Sequence, residues 1–227
     1  MSTAEAMTAP TAPAPAPVVW TEAEFDRMVS LGILPANHSR QGVRFTRDQY
    51  RAMAENGFFD GRNVCLLHGE VIEMAAMKEP HACGVSLVVD ALRGVIPSGY
   101  YVRFQMPLDV NSSSDPEPDV CVVAGHARTY RDSPTAPPAA DALIVVEVAH
   151  TTLDQDITTK AEVYATAGIA DYWVVDVEHN RLLVFRDPQP IAAGGVAYRT
   201  RLTRFAGDTV TLLAVPNVPI PVADLLP

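Results

Sequence analysis

The stretch LIVVEVAHTTLDQDITTKAEVYATAGIADYWVVD, residues 143–176, decides the fold. Leu143–Val148 is a short, valine-rich, continuous apolar run, the pattern of a strand buried on both faces. Asp156 to Ala167 predicts a helix capped by Asp156 and stopped by Gly168. Tyr172–Asp176 is apolar and β-branched again, and predicts a second strand. Upstream, Val120–Ala124 repeats the buried-strand pattern, and Tyr100–Val110 alternates well enough for a strand. Pro80 to Ile96 places apolar residues at 85, 88, 89, 92, 95 and 96, a helical spacing. Val64–Leu67 and Val71–Met74 flank His68-Gly69 and predict a tight hairpin. Before them, Thr21–Leu31 and Thr46–Asn56 each start on a capping-box pair, Thr21 with Glu24 and Thr46 with Gln49. Downstream, Leu182–Phe185 follows a Glu178-His179-Asn180 turn. Val196–Arg204 and Thr209–Leu213 predict a last hairpin about Gly207-Asp208. A short helix is expected at Val222–Leu226.

These elements predict one α/β (α+β) domain with a central mixed β-sheet flanked by helices. The expected organisation is a disordered Ala/Pro-rich tail over 1–18, a helical lead-in over 19–60, the main domain over 61–215 and a C-terminal tail over 216–227. GxGxxG and GxxxxGK[ST] are both absent from the sequence, so no nucleotide cofactor is expected.

The chain of 227 residues is 48% hydrophobic with a formal charge of −10, enough apolar content for a real core. No apolar run reaches the roughly 18 residues of a membrane span. No basic segment followed by an apolar one opens the chain, so no secretory signal is expected. The three cysteines, Cys65, Cys83 and Cys121, are scattered without a CxxC pair and predict reduced thiols in a cytoplasmic protein. The acidic balance argues against coating DNA by bulk charge. Of 17 basic residues only Lys78 and Lys160 are lysine.

The informative residues are acids that interrupt apolar strands. Asp119 ends the run Asp115-Pro116-Glu117-Pro118-Asp119, at the mouth of the 120–124 strand. Glu147 is flanked by valines in the most hydrophobic strand of the chain. A buried carboxylate needs a partner, a proton or a metal. Lys160 lies one helical turn after Asp156, on the same face. Two carboxylates at neighbouring strand ends with one lysine suit Mg²⁺, a metal-activated water and a lysine that orients or deprotonates that water or stabilises phosphoryl charge. Each residue also has a plainer reading: a buried arginine partner for Glu147, a turn cap for Asp119, a surface ion pair with Asp156 for Lys160.

Together the segments LLHGEVIEM, EPH, EPDVCVV, LIVVEVAHTTLDQD, TTKAEVYATAGIADYWVVD and RLLVFRDP, spanning about residues 44–187, resemble the PD-(D/E)xK nuclease superfamily. Within it they resemble the Uma-two family of bacterial restriction endonucleases. The resemblance implies a restriction-endonuclease-like core, with Asp119 and Glu147 as Mg²⁺ ligands (Mn²⁺ substituting) and Lys160 as the catalytic lysine. The superfamily's usual lysine position, two residues after the glutamate, is Ala149 here; the family takes its lysine from the following helix. Family members carry a hairpin glutamate and aspartate where this chain has Cys65 and His68, and Glu70 and Glu73 lie close by. His81 matches the family histidine, and either a phosphate or carboxylate contact or a structural hydrogen bond fits it. Glu70, His81 and Asp156 are therefore accessory candidates.

The function expected is Mg²⁺-dependent endonucleolytic cleavage of DNA by a restriction-type enzyme. The alternative is a catalytically weakened scaffold that binds nucleic acid or a protein partner. Arginines 40, 44, 47, 51 and 62, and 181, 186, 199, 201 and 204, form two clusters along the sequence. Arg44, Arg47 and Arg51 are the candidate DNA contacts, with solvated faces as the plainer reading. A homodimer fits an enzyme that must cut two strands.

Overall fold

A computed structural model describes residues 15–74 and 77–227. Residues 1–14 of the tail predicted over 1–18 lie outside the described residues.

Six strands form the central sheet in the order β4-β5-β6-β7-β8-β9. They are β4 (Tyr100–Arg103), β5 (Val120–Ala124), β6 (Ala142–Ala149), β7 (Asp171–Asp176), β8 (Arg181–Pro190) and β9 (Val196–Phe205). Only β6 and β7 run parallel; the other neighbours are antiparallel. A parallel pair needs a long crossover. Here it is a continuous helical rod: α4 (Leu153–Gln155), a π-turn (Asp156–Lys160) and α5 (Ala161–Thr166).

The period-2 alternation of side chains divides the core in two. Val120, Val122, Ile144, Val146, Val148, Trp173 and Val175 pack with the helix α3 (Glu79–Arg93) on one face. Cys121, Val123, Val145, Tyr172 and Val174 pack with Tyr164 and Ala165 of α5 on the other. Glu147 belongs by its parity to this second face. The approach of α3 is close: a Cβ on Gly84 would sit 2.7 Å from Val148 Cγ1.

The front of the chain builds a third core. Strands β1 (Ala16–Pro17), β2 (Val64–Leu67) and β3 (Glu70–Glu73) form a sheet in the order β1-β3-β2. Helices α1 (Glu22–Ser30) and α2 (Arg47–Glu55) cover it, both starting on the expected capping boxes. Phe25, Met28, Phe45, Met53 and Leu66 fill the space between. The turn between β2 and β3 needs left-handed backbone at His68 and Gly69, with φ of 48° and 78°.

Several expectations are corrected. Residues 16–18 are not disordered tail: Ala16 and Pro17 pair with Glu73 and Ile72, and Val18 is buried. The strand predicted over 100–110 ends at Arg103, because Gln105 turns to φ 51° and Pro107 follows. The helix predicted from Asp156 begins at Leu153, so Asp156 is an interior residue, not a cap. The strand 196–205 pairs with β8 rather than with 209–213; β10 (Thr209–Val210) pairs instead with β11 (Ile220–Pro221). The C-terminal segment is core: Val222 and Leu225 of a 3₁₀ turn (Val222–Leu225) are fully buried. No helix of the described residues is long and apolar enough to cross a membrane.

Candidate active site

The β5–β6 register pairs Val120 with Val146, and its continuation brings Asp119 level with Glu147. Asp119 is held at this strand mouth by two contacts. Its Oδ2 accepts the Val148 N–H at 2.8 Å, and its Oδ1 lies 3.0 Å from His81 Nε2 at the start of α3. Glu147, 1% exposed, accepts the Tyr164 hydroxyl on Oε1 at 2.7 Å. Its Oε2 lies 3.0 Å from Lys160 Nζ. The same ammonium reaches Asp156 Oδ1 at 2.9 Å, and Thr152 donates its hydroxyl to Asp156 Oδ2 at 2.6 Å. One cation thus bridges two buried carboxylates, with a third at the strand mouth.

Burial and charge pull against each other here. Burial pushes the Glu147 carboxyl up to about 8, with the Asp119 and Asp156 charges adding to it and Lys160 opposing. Burial also raises Asp156 against the pull of Lys160. For Asp119 the opposite wins: burial would raise it, but the His81 contacts, Lys160 and the Val148 N–H together hold it below the usual carboxylate range. Burial disfavours the charged forms of Lys160 and His81, yet the facing carboxylates overcome it and raise both. As the cluster stands, Lys160 keeps its proton.

A cavity of about 290 Å³ opens on this cluster. Asp119, Glu147, Lys160 and His81 all line it, together with Cys65, Glu117, His150 and Thr152. The Cys65 thiol is pushed up to about 12, chiefly by burial, and carries no charge at the cavity wall. Asp156 stands behind Lys160 as its second anionic partner. The sixth candidate is elsewhere: Glu70, at the start of β3, is ion-paired with Arg44. Arg47 is ion-paired with Asp109, and Arg51 holds Asp115 through two contacts of 2.9 and 3.0 Å. None of these three arginines lines the cavity.

Sequence reasoning missed Tyr164, Tyr172 and Thr152. The signal for Tyr164 was its spacing, four residues after Lys160 and eight after Asp156. Tyr172 donates its hydroxyl to the Asp156 carbonyl at 2.8 Å, which no spacing rule exposes.

The donors suit a hard cation. Asp119 and Glu147 offer carboxylate oxygens, each already using one acceptor position and each with a second left. Mg²⁺ binds through one or two carboxylates and keeps several waters. Among the described residues no group of three or more His, Cys, Asp or Glu side chains is placed to hold a metal ion.

The family model of Uma2, described as "Putative restriction endonuclease", matches residues 47–223, a span that includes every residue of the cluster. No curated protein matches the chain. Among solved structures, the crystal structure of "a putative nuclease belonging to DUF820" from Anabaena variabilis ATCC 29413 has a TM-score of 0.59 at 14% identity. The match covers 80% of this chain and 97% of that one, and it is a likeness of fold.

Proposed function

The chain belongs to the Uma2 family, and on that premise we propose that it is a Mg²⁺-dependent endonuclease hydrolysing phosphodiester bonds in DNA. The observation that carries the reading is the convergence of Asp119, Glu147 and Lys160 on one cavity. Asp119 and Glu147 would hold the ion, with Mn²⁺ able to replace it. The metal supplies Lewis acidity and lowers the pKa of a bound water. His81 and the Val148 N–H fix the Asp119 carboxylate at the strand mouth. Lys160, kept protonated by its carboxylates, stabilises charge growing on the phosphoryl oxygens rather than acting as a base. Asp156 holds the ammonium in place from behind.

The test is nicking of supercoiled plasmid in Mg²⁺ or Mn²⁺ by the wild type, Glu147→Gln and Asp119→Asn. Cleavage by the wild type with loss in both variants supports the proposal. Wild type and variants equally inert sink it for that substrate. The second reading, a scaffold that binds without cutting, draws on Cys65, whose uncharged thiol lines the cavity where related chains carry a hairpin glutamate. Salt-dependent DNA binding without cleavage by the wild type would select it.

A further inference from the structure

Two buried phenols touch the charge cluster, and neither has a part in the chemistry above. Tyr164 and Tyr172 are fully buried, and their rings pack 5.0 Å apart at 50°. Tyr172 also packs on Phe185 at 5.5 Å and Tyr198 at 5.9 Å, so neither ring is free to swing. A site that only had to be filled would take phenylalanine, without two hydroxyls to satisfy inside the core. Here both hydroxyls go to the cluster. Tyr164 donates to Glu147 Oε1 at 2.7 Å, which leaves Oε2 as the oxygen facing Lys160. Tyr172 donates to the carbonyl of Asp156, the first residue of the π-turn, at 2.8 Å.

The π-turn explains why Lys160 and Tyr164 both reach Glu147. In a regular α-helix residues i, i+4 and i+8 drift by about 80° around the axis. A wider π-turn between Asp156 and Lys160 takes out part of that drift. Asp156, Lys160 and Tyr164 then form one column, in which Lys160 and Tyr164 both reach Glu147. The Tyr172 hydroxyl grips this turn at its first carbonyl.

We infer that Tyr164 and Tyr172 form a positioning pair for the site: Tyr164 aims the Glu147 carboxylate toward the metal and Lys160, and Tyr172 fixes the turn that presents Lys160. The inference rests on the metal-site reading above. Its test uses the full chain with Tyr164→Phe and Tyr172→Phe, which keep both rings. Mn²⁺ binding is measured without DNA, by the loss of the free-ion paramagnetic resonance signal. Single-turnover cleavage is measured at saturating Mn²⁺.

Loss of a partner to a ligating carboxylate costs 10–100-fold in metal affinity or activity. Tyr164→Phe should therefore weaken Mn²⁺ binding about ten-fold or more, with the circular dichroism spectrum kept. Tyr172→Phe should bind Mn²⁺ within about two-fold of the wild type and cut roughly ten-fold more slowly. Binding by Tyr164→Phe and cleavage by Tyr172→Phe both at wild-type levels would overturn the pair. Parallel losses of affinity and rate in both variants, tracking a loss of folded protein, would overturn it too by showing a structural role. If Tyr164→Phe alone fails to fold, the split between affinity and rate in Tyr172→Phe decides. A wild type that binds no Mn²⁺ overturns the metal-site reading itself, and this appears before any variant is measured.

Discussion

Replacing Lys160 by methionine keeps the length of the side chain and removes the charge at the centre of the cluster. The ammonium lies 3.0 Å from Glu147 and 2.9 Å from Asp156. Glu147 loses the ammonium that opposes the effect of burial, which already pushes its carboxyl up to about 8. Asp156 is the exposed weakness. It is 1% accessible, and without Lys160 its carboxylate keeps only the Thr152 hydroxyl. It therefore takes a proton. Keeping protonated at pH 7 a carboxyl that titrates near 3.9 in the unfolded chain costs at most about 4 kcal/mol. The sign follows from proton counting. The folded variant binds a proton that the unfolded chain releases, so its stability falls as pH rises above about 4. The gap between Lys160→Met and the wild type should widen with pH, by up to about 1.4 kcal/mol per unit between pH 5 and 7. Urea unfolding in chelator-treated buffer at pH 5, 6 and 7 measures it. The double variant Lys160→Met/Asp156→Asn should recover most of the loss, because the buried acid at position 156 is no longer there to titrate. A Lys160→Met protein as stable as the wild type at every pH would refute the reasoning.

The remaining predictions concern the frame of the site. Asp171, 1% exposed, accepts the Trp173 indole N–H at 2.7 Å, Arg186 at 2.8 Å and the Leu213 N–H at 2.9 Å. Asp171→Ala strands a half-buried guanidinium and should cost about 3–5 kcal/mol in urea unfolding; a loss under about 1 kcal/mol would contradict the assignment. Gly84→Ala drives a methyl toward Val148 Cγ1, since the added Cβ would stand 2.7 Å away. It should destabilise by about 1–3 kcal/mol, and Mn²⁺ affinity should fall with it, because the Val148 N–H holds Asp119. Burial would raise the Asp176 carboxyl, but His179 and Arg181 win and hold it below the ordinary value. Its contribution is present above pH 4 and is lost as pH falls through the lowered folded pKa. An acid-unfolding curve for Asp176→Asn should be flatter there than that of the wild type.

What the sequence showed was what short-range pattern can encode. Val120–Ala124 and Leu143–Val148 declared buried strands because valine runs have no other economical place. Thr21 and Thr46 declared helix starts because their partners are three residues away. The strand pairings were harder. The segment 196–205 was legible as a strand, but its partner β8 and the separate pairing of β10 with β11 depend on loop geometry. The start of the site helix was misread for a similar reason. Asp156 resembles an N-cap in sequence, and its side chain instead meets Lys160 and Thr152 inside a π-turn, a deviation with no compositional mark.

The arginines show the same boundary in electrostatic form. Grouped along the chain, residues 44, 47 and 51 look like a basic patch. In space their charges are answered by acids distant in sequence: Arg47 by Asp109 and Arg51 by Asp115. Arg181 and Arg186 are answered across the β7–β8 hairpin by Asp176 and Asp171 at the ends of β7. Paired cations release few counterions, so they add little to phosphate affinity. Lys160 is different in kind. Its two acids are neighbours of the cavity, and it lines that cavity itself. The charge that matters for chemistry is therefore local. On the proposed reading, a chain of net −10 would hold a phosphoryl group at a cluster whose acids bind the metal and whose one lysine faces the same space.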